Sequence, residues 1–383
     1  SQLGGAEKAL LNALASIRAA RPSWPLHLIV SDHGPLIEQA ALLGVGVTVV
    51  PFPPSLAAIG DAGASGLAGK QFGLQSLLKK VFLSTPSVAA YVRRLRSVLR
   101  KLNPDLLHSN GFKMHLLAAC AKPVAVPLIW HIHDYVSLRP LMARLLPVFA
   151  RRCALAITNS RSVSEDLRSV CGARLKIHTV YNAIDLTAFS PEGKTLDLDS
   201  LSGLPPSHSG TVKVGLLGTL ARWKGHETFL KALAALPESL PVRGYISGDA
   251  IYQTRGSQYS LNELKGIASR LGVSHRVGFT GFVDKPEAAM RSLDVIVHAS
   301  TEPEPFGLVI AEAMACGRAV IVSEAGGASE IVEPGINALG HKPGSTGQLA
   351  ERIMELAADK GLRERLGRAG RRTAEQRFDQ RQK

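Results

Sequence analysis

Apolar residues in the first half of the chain fall into short runs separated by stretches with helical spacing. Leu26–Ser31 (LHLIVS) and Val45–Val50 (VGVTVV) are brief apolar runs bounded by polar loops, which predicts two short buried strands. Between Ser87 and Leu102 the apolar positions are Val88, Val92, Leu95, Leu99 and Leu102, the spacing of one helix face, and arginines occupy the other. Asn103-Pro104 stops that helix. Asp105–Ser109, Val126–Ile132 and Leu155–Asn159 predict further strands, each leading through a polar loop to another helical stretch. Residues 191–210 (PEGKTLDLDSLSGLPPSHSG) break this rhythm, being rich in Pro, Gly and Ser without apolar periodicity, which predicts a linker.

The alternation then resumes. Val212–Leu217, Val242–Ser247, Val277–Thr280, Val295–Ala299 and Ala319–Ser323 predict strands, and Glu227–Ala235 a helix. Strands joined by helices require right-handed crossovers and parallel sheets. The predicted architecture is α/β, with two Rossmann-like domains facing each other across a cleft. They occupy residues 1–190 and 212–383 with a linker at 191–211, which suits a chain of 383 residues.

Composition is that of an ordinary globular protein, 45% apolar and 20% charged, which excludes disordered, collagenous and coiled-coil classes. Cys120, Cys153, Cys171 and Cys316 are widely spaced with no CxxC pair, arguing against a zinc module or disulfide scaffold and for a reducing compartment. No apolar run approaches the roughly 20 residues that span a bilayer, and the opening SQLGGAEKAL lacks the regions of a signal peptide. Charge is uneven. Residues 1–190 hold 21 Lys+Arg against 9 Asp+Glu, a surplus of 12 out of the total of +14. From Ala62 to Pro104 there is no acid, while Lys70, Lys79, Lys80, Arg93, Arg94, Arg96, Arg100 and Lys101 are all basic. The first half is therefore expected to face something anionic.

In open α/β sheets ligands bind outside the carboxyl ends of strands. After the strand ending near Ala299 comes Thr301–Gly317 (TEPEPFGLVIAEAMACG), with a helix predicted to open near Phe306-Gly307. Backbone N–H groups of its first turn can bind an anion. Glu304 on the loop and Glu312 in the helix could accept hydrogen bonds from sugar hydroxyls on either side. After Leu217, GTLARWKGHET sets Arg222 and Lys224 before another helix, two cations placed to neutralise a pyrophosphate. In the first half, His131-Ile132-His133-Asp134 follows a strand, so His133 could meet a substrate hydroxyl. HxH also suits a metal, but no second ligand group has supporting spacing. Gly4-Gly5 and Ala325–Glu330 (AGGASE) add glycine-rich turns.

Taken together, these motifs resemble the GT-B glycosyltransferases of the large retaining family 4. The resemblance spans essentially the whole chain. It is carried by Gly4-Gly5-Ala6-Glu7, His133-Asp134, Asn182-Ala183-Ile184-Asp185, Lys224-Gly225, Gly281-Phe282-Val283, Glu304-Pro-Phe-Gly-Leu-Val with Glu312, and Gly326-Gly327 with Glu330. It implies a nucleotide-diphosphate sugar held by the second domain and a saccharide or lipid-linked acceptor held by the first, as in cell-surface polysaccharide or glycolipid synthesis. Glu312 would bind the donor ribose and Glu304 the sugar hydroxyls. Phe306 and the amides of Gly307, Leu308 and Val309 would lie at the diphosphate, neutralised by Lys224 and Arg222. The Phe282–Val283 backbone would hold the base, His133 would sit at the reacting sugar, and Gly4-Gly5 would close over the diphosphate. Transfer would proceed with retention and without a metal or other cofactor.

The family's arginine directly after the strand glycine is Thr219 here, so Arg222 would substitute for it from within the loop. Both chain ends look clipped relative to the family pattern. A GT-A enzyme would need a metal-binding DxD, and Asp197-Leu-Asp199 lies in the predicted linker. A non-hydrolysing nucleotide-sugar epimerase would need more carboxylates in the first half. Nucleic-acid binding is poorly supported, because aromatics make up only 5% and do not interleave with the basic run. The expected setting is the cytoplasm, at the inner face of an anionic membrane.

Overall fold

The structure is a computed structural model and describes residues 4–54, 74–250 and 256–382. The chain divides into two compact units, Ser1–Tyr181 and Asn182–Lys383. Lys70 lies outside the described residues, as do the side chains of Lys79 and Lys80.

In unit 1 the order is α1 (Gly5–Ala20), β1 (His27–Val30), α2 (Pro35–Leu42), β2 (Gly46–Val49), α3 (Leu74–Leu102), β3 (Leu107–Asn110), α4 (Phe112–Ala121), β4 (Leu128–Ile132), α5 (Pro140–Phe149), β5 (Leu155–Thr158), α6 (Arg161–Cys171) and β6 (Ile177–Thr179). β1 pairs with β2, and β3-β4-β5-β6 form a second ladder, every pair parallel. Trp130 and Ile132 of β4 are completely buried among Leu146, Val163 and Leu167, as expected of a parallel strand covered on both faces. On α3, Tyr91, Leu95 and Leu99 repeat every fourth residue and pack against Val50, Leu117 and Ala121. Arg93, Arg94, Arg100 and Lys101 lie exposed on the same helix.

Unit 2 runs α7 (Leu198–Ser202), β7 (Val212–Leu217), α8 (His226–Ala234), β8 (Val242–Ser247), α9 (Leu261–Arg270), β9 (Val277–Gly281), α10 (Pro286–Arg291), β10 (Val295–His298), α11 (Leu308–Ala315), β11 (Ala319–Ser323), α12 (Ala328–Ile331), β12 (Leu339–His341), α13 (Thr346–Ala358) and α14 (Lys360–Arg377). Its six parallel strands take the order β9-β8-β7-β10-β11-β12. Strand order therefore reverses between β7 and β10, which makes the carboxyl ends of those two strands the switch point where such sheets bind ligands. The last helix returns to the start of the unit. Ile184 N–H donates to Phe378 O at 2.7 Å and Gln380 N–H to Ile184 O at 3.2 Å.

Two short strands, β6 and β12, were not apparent from the apolar pattern. Segment 191–211 carries α7, and it is anchored within unit 2. Asp199, 5% exposed, accepts from Arg243 Nη1 (2.6 Å), Tyr245 Oη (2.5 Å), Lys213 Nζ (3.2 Å) and Ser207 Oγ (2.9 Å). A buried carboxylate is tolerated only when paired in this way. Asp197 accepts from Ser200 N–H at 3.1 Å and caps α7. Both acids of the DxD thus have structural partners. Among the described residues no helix is long and apolar enough to cross a membrane, and no three His, Cys, Asp or Glu side chains gather where they could hold a metal ion.

Candidate active site

The loop leaving β7 makes a short 3-10 turn, Arg222–Lys224, and enters α8 through Gly225 at φ +77°. The glycine is obligatory, because a Cβ there would stand 1.9 Å from Ala299 O at the end of β10. That close approach sets the β7 loop against the β10 loop, and Thr301 N–H donates to Trp223 O at 2.8 Å. Lys224 Nζ consequently reaches both oxygens of Glu304, at 2.9 Å to Oε1 and 2.8 Å to Oε2. The Glu304 main chain is fixed against the loop after β11, accepting from Gly327 N–H at 2.7 Å.

Glu304 is almost wholly buried, and burial by itself would raise its carboxyl pKa. The Lys224 ammonium and the hydrogen bond from His298 outweigh burial and hold it well below the usual carboxylate range. Glu304 is thus an ionised acceptor at neutral pH. Three residues on, Gly307 adopts φ +91° and opens α11, whose first amides have no partner within the helix. A cation, a carboxylate and a helix N-terminus thus come together at the switch point.

Leu308 and Val309 form the first turn of α11 and are partly exposed. Glu312, 8% exposed, is the fifth residue of α11 and lies one turn into it. Phe306 is buried, its ring edge-on to Phe378 at 5.7 Å, so its side chain supports the turn from beneath. Phe282, 48% exposed, and Val283 follow β9 directly, leaving their backbone at the carboxyl edge of the same sheet.

Arg222 is not brought to this group. Its guanidinium lies 4.2 Å over the Tyr259 ring and donates to Glu263 Oε1 at 2.9 Å and to Gly256 O at 3.0 Å. Glu263 is itself fixed in the capping box that starts α9. One cation of the predicted pair, Lys224, therefore faces Glu304 while the other is tied to α9.

In unit 1, Gly4 precedes α1 and Gly5 is its first residue. His133 follows β4, and its Nε2–H donates to Asn110 Oδ1 at 2.9 Å, while Asn159 Nδ2 donates to His133 O at 3.2 Å. The imidazole lies 4.0 Å from that of His131, which stacks on His108 at 5.1 Å. Burial first, and then the neighbouring His108, push the His133 pKa down to about 4, so it is a neutral hydrogen-bonding group at pH 7.

Asn110, Asn159, His298 and Ser300 escaped the sequence reading. Each lies at or just beyond the carboxyl end of a strand, so the rule that selected His133 and Glu304 also points to them.

Two sequence-family profiles match the chain, one described as Glycosyltransferase Family 4 over residues 35–188 and the other as Glycosyl transferases group 1 over residues 206–373. A parallel α/β fold of two units with this switch-point site defines the GT-B class. The chain belongs to the group 1, family 4 glycosyltransferases. It is 34% identical over 234 residues to a D-inositol 3-phosphate glycosyltransferase of Xylanimonas cellulosilytica, covering 58% of this chain and 52% of that protein. It is 34% identical over 220 residues to spore coat protein SA of Bacillus subtilis, covering 54% of this chain and 56% of that one. The chain thus spans about half the length of these curated relatives. Among solved structures, Anabaena HepE in complex with UDP and glucose is 28% identical with a TM-score of 0.77, covering 99% of this chain and 93% of that one. HepE is also known in complex with UDP-glucose.

Proposed function

We propose that this protein transfers a sugar from a UDP-sugar to a saccharide or lipid-linked acceptor with retention of anomeric configuration, in the synthesis of a surface polysaccharide or glycolipid. The observation that carries this reading is the bidentate Lys224–Glu304 pair beside the N-terminus of α11, at the switch point of the unit 2 sheet. A diphosphate on that turn would gain the amides of Gly307, Leu308 and Val309, the positive end of the helix and the Lys224 ammonium. Glu304 would take sugar hydroxyls, Glu312 the ribose, and the Phe282–Val283 backbone the base. His133, whose Nε2–H is given to Asn110, would accept through Nδ1 from a hydroxyl of the reacting sugar, and Gly4-Gly5 would approach the diphosphate. As the acceptor oxygen bonds to the anomeric carbon, the bond to the leaving phosphate oxygen breaks, and the acceptor's proton passes to that phosphate. Charge on the leaving group is met by lysine and backbone, so no metal is required.

The HepE complexes favour uridine as the base, and the spore-coat relative favours a surface product. A thermal-shift panel of UDP-, GDP- and ADP-glucose in EDTA tests donor and metal together, since a ligand selective for the native state raises the melting temperature. The expected result is a shift with UDP-glucose alone. No shift with any of the three would remove the donor-site reading.

The basic face of unit 1 supports contact with an anionic membrane. Because Tyr91, Leu95 and Leu99 are already packed into the core, residues 86–102 of α3 offer the bilayer charge rather than an apolar stripe for insertion. Flotation with phosphatidylserine vesicles should therefore succeed at low ionic strength and be abolished near 1 M salt, where screening acts within about 3 Å. Flotation that survives high salt would contradict purely electrostatic attachment.

A further inference from the structure

We propose that His298 and Ser300 are positioning residues that hold the Glu304 carboxylate, and through it the donor's sugar rather than its nucleotide; this rests on the donor-site reading above. The basis is a buried polar network under Glu304. Ser300 Oγ donates to Glu304 Oε2 at 2.9 Å, and His298 Nε2 lies 3.3 Å from the same oxygen and 3.1 Å from Ser300 Oγ. His298 and Ser300 are 3% and 1% exposed. A carboxylate only accepts, so the single hydroxyl proton of Ser300 goes to Glu304, and Nε2–H serves both Glu304 and the Ser300 oxygen. One arrangement of protons therefore satisfies these three contacts.

The network is anchored across neighbouring strands. Ser323, ending β11, donates through Oγ to Ser300 O at 2.6 Å, and His341, ending β12, places Nε2 3.3 Å from His298 O. Both are 1% exposed. Three strand ends thus fix the groups that fix Glu304.

The physical need follows from Lys224. An ammonium that also neutralises a diphosphate divides its attraction between two anions, and a buried carboxylate with weakened partners is costly. His298 and Ser300 are donors buried too deeply for phosphate to compete for them. They keep Glu304 charged and oriented while Lys224 is shared. Among the described residues, Lys224 from the β7 loop and His298 from β10 face Glu304, and His341 from β12 faces the His298 carbonyl.

Calorimetric titration of the full chain with UDP and with UDP-glucose tests this. In His298→Ala and Ser300→Ala, UDP affinity should stay near wild type while UDP-glucose affinity falls about tenfold or more, the scale of one hydrogen bond to a charged group. His298→Gln, which retains a donor near the Nε2 position, and Ser300→Thr should recover most of the loss. With donors removed the carboxyl protonates at higher pH, so the acid limb of UDP-glucose binding should move upward in the alanine variants and return in the conservative ones. Unchanged UDP-glucose affinity and acid limb in both alanine variants would overturn the proposal. So would Gln and Thr variants as weak as the alanine ones with UDP binding intact, since the role would then be packing. If His298→Ala loses UDP binding through misfolding, Ser300→Ala decides the matter. Wild-type protein that binds no UDP removes the donor-site reading, and this inference with it.

Discussion

Lys224→Ala is expected to slow release of UDP from UDP-glucose, with water as the slow acceptor, by about 10²–10³-fold, the usual loss when one preorganised charge-stabilising donor is removed. Glu304→Ala should lose at least as much, because it would remove the proposed sugar contact and leave the Lys224 ammonium, 20% exposed, without the carboxylate that fixes it. Arg222→Ala is the informative contrast. Its guanidinium is held by Glu263 and stacked on Tyr259, so its loss should cost less than about tenfold and fall chiefly on stability. Equal losses in Arg222→Ala and Lys224→Ala would show that the arginine leaves its tether to serve the diphosphate. Full turnover in Lys224→Ala would refute the charge assignment itself.

Gly225→Ala should be among the most damaging single-methyl changes in unit 2. Two costs combine: a left-handed backbone for a residue with a side chain, and a Cβ 1.9 Å from Ala299 O, an atom held at the end of a central strand. Together they amount to about 2–4 kcal/mol, or roughly 5–15 °C in melting temperature for a unit of this size. Since the same glycine brings the Lys224 turn against β10, donor turnover should fall with stability. Gly272→Ala provides the control, with φ +73° and no atom within 4 Å of the added carbon. It should lose only the conformational part, about 1 kcal/mol. Comparable melting temperatures for the two variants would show that the loops can separate and that the close approach is not what aligns the site.

The central strands were legible because parallel strands covered on both faces read as mainly apolar runs: Val212–Leu217 and Val295–Ala299 are long enough to keep that signal despite Lys213 and His298. β6 and β12 did not stand out, since each has three residues and includes a histidine. Segment 191–211 has the composition of a linker. What orders part of it is an ionic cluster whose members Lys213, Arg243 and Tyr245 lie 14, 44 and 46 residues from Asp199, a separation that no local pattern encodes. The site was legible to the level of loops and charges. Lys224 and Glu304 were selected as switch-point residues, but the fate of Arg222 depended on Glu263, 41 residues on. His298 and Ser300 were hidden because VIVHAS reads as the end of a strand, and their chemistry appears only when Glu304 folds back over them.

The pairing of Ile184 with Phe378 and Gln380 makes neighbours of the first and last parts of unit 2. Such adjacency is the hallmark of a module that can be spliced into another chain or rejoined in a new order without rerouting its interior. It also links this seam to chemistry, because Phe378 is the ring on which Phe306 rests. Trimming the carboxyl end back past that phenylalanine would thus loosen the floor beneath the turn proposed to bind phosphate, however far away it lies in sequence.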